Sequence, residues 1–295
     1  MKPDILCIGA VLWDIIGRSA SSMRVGSDVP GRITRLPGGV ALNIAMTLRG
    51  FGLNTAVLSV VGKDAEGEDL MEALGQLGLI TEYTYRSADL PTDRYMAIEG
   101  AGGLIAAIAD AHSLEAAGSK ILSALEDGTL GSTEAPYPGT IALDGNLTVS
   151  LLTECATSPL FAAADLRVAP ASPGKAERLM AFLQHGRATL YVNKEEAGLL
   201  CKADFATASE AAQALVARGA ERVLVTDGGQ AAAFAAENEL FLKQPPEVLV
   251  SRVTGAGDTF MAGHIAAELS GATPAEALER ALHAAATYVS GETPS

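Results

Sequence analysis

The stretch Val248-Leu249-Val250-Ser251-Arg252-Val253-Thr254-Gly255-Ala256-Gly257-Asp258-Thr259-Phe260 holds the pattern that decides the fold. Residues 248–250 are an apolar strand candidate, small residues follow, and an apolar helical pattern runs on to about residue 269. A strand that turns through glycines into a helix is the repeating unit of an α/β sheet, and working residues gather where such strands end. The first backbone N–H groups of that helix have no intrahelical acceptor, and the helix dipole turns its positive end toward them. The turn therefore offers an anion site. Asp258 is out of place there if the only task is to bind an anion. It makes sense if the carboxylate takes a proton from a hydroxyl that attacks a bound phosphate. The same residues also suit a plain tight turn at Gly255 and Gly257 with Asp258 as a helix cap.

Elsewhere in the chain, strand-like and helix-like runs alternate. Residues 5–11 form a continuous apolar run, suited to a parallel strand covered on both faces. Further strands are expected at 55–61, 140–143, 166–169, 189–192 and 222–226. Helices are expected at 39–48, 64–77, 114–127, 148–157, 173–185 and 207–218. Thr207 with Glu210, and Thr273 with Glu276, have capping-box spacing, and Pro274 occupies a first helical turn. Residues 231–236 read as part of an alanine-rich helix. The alternation predicts a doubly wound α/β sheet in one domain. Two regions break it. Residues 12–35 carry Gly, Pro and Ser with few helix signals, and residues 91–110 look like strands 94–99 and 104–109 joined by Gly100-Ala101-Gly102-Gly103. Such an inserted hairpin is a lid, an interface flap or a plain edge hairpin.

Composition narrows the partners. The 295 residues are 48% hydrophobic and 19% charged, enough for a substantial core. With 21 basic and 35 acidic side chains the net charge is −14, which argues against nucleic acid or an anionic membrane as partner. One local pocket can still oppose that sign. Cys7, Cys155 and Cys201 are odd in number and form no CxxC, as expected of a reduced, cytoplasmic chain. His112, His185, His264 and His283 lack metal-ligand spacing. No leader and no membrane span are expected. The dinucleotide-binding fingerprint, the Gly-Lys-Ser/Thr phosphate loop and GxSxG are all absent.

Four other groups of residues can carry chemistry. In Pro37-Gly38-Gly39-Val40-Ala41-Leu42-Asn43, the glycines permit close approach of a ligand and Asn43 offers a donor and an acceptor to a polyol. Asp14, just past the first strand, can accept from vicinal hydroxyls or be an ordinary loop residue. Asn193 and Glu196, on one face of a first helical turn, suit waters around a magnesium ion, or a simple helix cap. Thr226 and Gly228, in Val225-Thr226-Asp227-Gly228-Gly229, suit a nucleotide phosphate or a β-turn.

The order of these groups, Gly38-Gly39 with Asn43, then Asn193 with Glu196, then Gly255-Ala256-Gly257-Asp258, resembles the ribokinase (PfkB) family of carbohydrate and nucleoside kinases over nearly the whole chain. The resemblance implies a three-layer α/β/α core with a small β lid that often serves a homodimer. It implies transfer of the ATP γ-phosphate, with Mg2+, to a hydroxymethyl group. Asp258 would be the catalytic base, and Gly255, Ala256 and Gly257 the anion hole. Asp14, Gly38, Gly39 and Asn43 would hold the acceptor. Asn193, Thr226, Gly228, Gly257 and His283 would meet ATP, and Glu196 the metal through water. Two features depart from the pattern. Arg252 stands where many members carry Asp or Asn at a monovalent-cation site, which puts a potassium requirement in doubt. The sequence also stops at Ser295, where part of the adenine-side wall is expected. Within the family the chain is most similar to pseudouridine kinases, through Pro37-Gly38-Gly39-Val40 with Asn43, Ile108-Ala109-Asp110, Asp144-Gly145-Asn146 and Val253-Thr254-Gly255. Asp110 and Asn146 are then candidate nucleoside contacts. A ribokinase- or fructokinase-like sugar kinase is the alternative, and a catalytically silent sugar-binding relative a third, against which Asp258 speaks.

Overall fold

The structure, a computed structural model, describes residues 2–24, 26, 28–185 and 188–292. The chain opens with a core strand, β1 (Ile5–Ile8), and passes directly into two outlying strands, β2 (Leu12–Arg18) and β3 (Arg32–Gly38). Helix α1 (Val40–Gly50) leads back to β4 (Thr55–Leu58). Next come β5 (Val60–Gly62), α2 (Ala65–Gln76) and β6 (Tyr85–Ser87), with β5 and β6 paired in parallel. β7 (Arg94–Gly100) and β8 (Gly103–Asp110) form the predicted hairpin. The stretch expected as one helix at 114–127 is α3 (His112–Ala117), a 3-10 turn and α4 (Ser123–Glu126). Then follow β9 (Thr140–Asp144), α5 (Val149–Thr157), β10 (Asp165–Ala169), the 3-10 turn Pro173–Leu179, α6 (Met180–His185), β11 (Ala188–Asn193) and α7 (Lys194–Cys201). The last elements are α8 (Ala208–Ala217), β12 (Arg222–Thr226), β13 (Ala232–Ala236), β14 (Glu239–Lys243), α9 (Ala256–Leu269) and α10 (Pro274–Ser290).

The main sheet has the order β14-β13-β12-β11-β10-β9-β1-β4, parallel except for β13 and β14 at one edge. Side chains alternate across a strand, so β1 feeds two cores at once. Leu6 and Ile8 join the apolar side of α3, α5, α7 and α8, while Ile5 and Cys7 join α1, α2, α9 and α10. That is the three-layer core. A second sheet, β3-β2-β7-β8, is the lid.

Two readings of the sequence fail here. Residues 248–250 form no strand; Leu249 is 91% exposed on an extended segment beside the glycine turn. The run has no neighbouring strand because β13 and β14 already close that edge. Residues 231–236 are not helical but supply β13, whose small alanines let α8 pack closely over the sheet. Thr207 accepts the Glu210 N–H as expected, but Glu210 turns its carboxylate to Ala206, so only half of that capping box forms. Thr273 and Glu276 complete theirs.

Helix α9 is buried on nearly all sides, and Gly263 lets α10 approach so closely that an added Cβ would stand 2.9 Å from Ala284. Its far end is pinned by charge. Glu268 pairs with Arg167 and Arg222, Arg167 donates to the Tyr191 hydroxyl at 3.2 Å, and that hydroxyl meets His264 Nδ1 at 2.9 Å. An apolar helix has no stripe to set its rotation, so these polar contacts do it. Among the described residues, no helix is long and apolar enough to cross a membrane.

Candidate active site

The strand ends of β1, β9, β11 and β12, the start of α1 and the start of α9 surround one crevice. Asp258, in the first turn of α9, accepts from Asn43 Nδ2 at 2.9 Å, joining two motifs 215 residues apart. Burial pushes the Asp258 carboxyl up to about 7, Asn43 opposes the shift, and Asp144, Asp14 and Glu196 add like charge. Asp14 and Glu196 are each raised to about 6, both chiefly by burial. Asp144, fully buried, is raised by burial against hydrogen bonds from Ala10 and Asn146. Four carboxylates thus share the crevice, an environment that calls for a cation.

The turn before α9 is strapped to the end of α10. Gly255 has φ 89°, and an added Cβ would lie 2.6 Å from the Tyr288 hydroxyl, so glycine is required there. Tyr288 donates to the Thr254 carbonyl at 2.9 Å. Arg252 donates to the carbonyls of Tyr288 and Glu292 at 2.8 and 3.0 Å and stacks 3.7 Å over the Tyr288 ring. Ala256 departs from the anion-hole role given to it: its N–H closes the turn onto the Val253 carbonyl at 3.0 Å. Among the described residues, the N–H groups of Gly257 and Asp258 have no backbone acceptor, and Gly257 is exposed with open space beside it.

Gly38 and Gly39 do not open space for a ligand. A Cβ on Gly38 would stand 2.0 Å from Asp14, and one on Gly39 2.4 Å from the Ala10 carbonyl. These glycines admit protein atoms: Gly38 seats Asp14, and Gly39, at φ 104°, packs the start of α1 on the end of β1. Gly9 does likewise for Asp144, whose Cβ would be 2.3 Å from an added one. On the lid, the rung Leu36-Asp14-Tyr95-Ala109 shares one face. Asp110 is one residue further, so it lies on the opposite face, exposed and 3.6 Å from Arg94. The strand period removes Asp110 from the acceptor face, and Tyr95 stands beside Asp14 instead.

Asn193 and Glu196 form a reciprocal capping box, with both bonds at 2.8 Å. Asn193 is the register partner of Thr226, so these two strand ends lie side by side. Lys194 pairs with Asp227 at 2.7 Å, and Gly228 turns the chain toward β13 with φ 57°. Among the described residues, no three acidic, His or Cys side chains form a metal cage. One oxygen of Glu196 is taken by the box, which leaves the other for a metal-bound water. That fits magnesium held mainly by phosphates and waters. His283 is exposed on α10, in a groove with Phe51, Gly263 and Arg280; no contact ties it to Thr226 or Gly228. Asn146 is engaged on both sides, to Asp144 at 3.1 Å and to Lys175 at 2.6 Å. Asp144, Tyr95 and Lys175 were missed by motif reading. Only Asp144 had a signal, as an acid ending an apolar strand.

An aspartate at a helix N-terminus, aimed between an amide-lined anion site and an acceptor pocket under a lid, defines a sugar or nucleoside kinase. The chain matches the pfkB family carbohydrate kinases over residues 2–294 and belongs to that family. It is 26% identical over 267 residues to the pseudouridine kinase of Escherichia coli strain K12, covering 89% of this chain and 82% of that protein. Among solved structures it resembles a carbohydrate kinase from Agrobacterium tumefaciens (27% identity, TM-score 0.80, 97% and 90% of the two chains). It also resembles an Arabidopsis thaliana ribokinase solved with ribose and ATP (21% identity, TM-score 0.78, 98% and 93%), which supports the fold.

Proposed function

We propose that this kinase transfers the γ-phosphoryl group of ATP to the 5′-hydroxyl of pseudouridine. The observation that carries the reading is the Asn43–Asp258 bond, which sets the carboxylate at the junction of the two motifs. Asp258 takes the proton of the 5′-hydroxyl as its oxygen bonds to the γ-phosphorus. The bond to the β–γ bridging oxygen breaks and ADP leaves. The free N–H groups at the start of α9 hold the charge on the phosphoryl oxygens. Asp14 and Asn43 orient the sugar hydroxyls, and Tyr95 flanks them. Asn193, Thr226 and Gly228 line the nucleotide side, and His283 is the adenine candidate. Magnesium, bound through waters on Glu196, would neutralise phosphate charge. The Arg252 guanidinium already satisfies carbonyls at the end of α10 with a fixed positive charge, so we assign this kinase no need for potassium. The three buried free cysteines suit a reducing cytoplasm.

The test is ATP consumption with pseudouridine, ribose, fructose and adenosine side by side, in potassium and in sodium buffers. Pseudouridine should lead in kcat/KM by about tenfold or more, with the same rate in both salts. Faster turnover of ribose or adenosine would reject the acceptor. Binding without any turnover would mark a silent relative. A clear potassium activation would reject the role given to Arg252.

A further inference from the structure

The Asn146 carboxamide is engaged on both its nitrogen and its oxygen, so it bridges two other groups. Its partner Lys175 is different. The ammonium has three N–H donors, and among the described residues only one is used, on Asn146 Oδ1 at 2.6 Å. Lys175 stands in the 3-10 turn after β10, half-buried, beside the strand ends. Arg178, one turn on, is occupied: it donates to the carbonyls of Asn146 and Leu147 at 2.9 and 3.0 Å and faces Glu115 at 3.3 Å. Burial, then the neighbouring Arg178 charge, holds the Lys175 ammonium below its usual range. A cation so placed is short of hydration and has donors to spare.

Its neighbours say which ligand it serves. The charges Lys175 feels are Arg178, Asp144 and Glu115; Glu196 and Asp258 are not among them. It therefore belongs to the acceptor side of the crevice, beside Asp144, and not to the nucleotide side. A single ammonium near several carboxylates is a poor host for a dianionic phosphate. It is a good host for a neutral carbonyl oxygen, which accepts a strong charge-assisted bond. A plain sugar has no such group, whereas a pyrimidine base has two.

We infer that Lys175, held in place by Asn146, donates to a nucleobase carbonyl of the acceptor and so selects a nucleoside over a free sugar. This rests on the kinase reading above and names the end of the acceptor it recognises. The test is steady-state kinetics of Lys175→Met, Lys175→Arg and Asn146→Ala with pseudouridine, ribose and fructose 6-phosphate. Lys175→Met should raise the pseudouridine KM about tenfold or more, while kcat, the ATP KM and the ribose KM hold. Lys175→Arg should fall between it and the parent, and Asn146→Ala should shift KM the same way by less. An unchanged pseudouridine KM overturns the inference, as does an equal rise for ribose. A selective loss with fructose 6-phosphate, or a rise confined to the ATP KM, overturns it as well. If the parent turns over none of the three, the kinase reading fails on its own. Lys175 is then judged by pseudouridine-induced thermal stabilisation, which Lys175→Met must abolish.

Discussion

Asp258 is held in the folded protein at a disadvantage to stability, and that disadvantage is measurable. Its carboxyl rests near pH 7 in the fold and near 3.8 when free. Below about pH 4 both states are protonated and the residue is neutral in its effect. As pH rises toward 7 the unfolded chain loses the proton first, so stability falls across that window and stays lower above it. Asp258→Asn should therefore raise Tm at about pH 8 and do nothing for it at about pH 4, read by calorimetry. The same variant should lower kcat by about 10²- to 10⁴-fold, and the parent kcat/KM should climb with pH to a plateau above about 7. A normal kcat in the variant would remove Asp258 from the chemistry. Gly39 shows where the sequence was silent. A glycine pair announces conformational freedom but not the direction its missing Cβ would have taken. Here that direction ends on the Ala10 carbonyl, so Gly39→Ala should cost about 1–3 kcal/mol of stability, seen as a lower denaturant midpoint. The acceptor KM of the folded fraction should hold, and a raised KM with unchanged stability would restore the ligand-approach reading.

At the scale of elements, the core strands were legible because each is a short apolar run between turn residues, and β12 begins and ends where its pattern does. The catalytic helix was legible for the same reason, from its glycine turn to Leu269. What escaped was pairing. β13 is built of alanines, which carry little strand preference, and it forms because β12 offers an antiparallel edge. The apolar run at 248–250 had the better strand composition and no partner. The lid was found as a region, but its register was not. One residue of register separates Ala109, on the acceptor face, from Asp110, on the far one. Likewise Asn193 and Glu196 were seen as a pair, and the structure shows that both of their bonds close the helix start. Any service to a metal falls to the remaining Glu196 oxygen.

For the molecule as a whole, the lid leaves an unusual surface. Ile15, Ile33, Met96, Ile98 and Ile108 share the face turned away from Asp14, and Ile33 and Ile108 are 78% and 68% exposed. An apolar sheet face of that kind fits burial against a second copy of the chain. We expect a dimer in solution, and expect Ile33→Lys with Ile108→Lys to give a monomer by light scattering; an unchanged mass would assign the dimer, or its absence, to other surfaces. The lid is also mounted in a telling way. β1 runs into β2 through only Gly9, Ala10 and Val11, and β3 runs into α1 at Gly39. Those two joints are the backbone that cradles Asp144 and starts the helix bearing Asn43. A swing of the lid is thus geared to the seat of the proton acceptor by a few peptide units, so that the grip on the alcohol and the aim of the carboxylate are set by one lever.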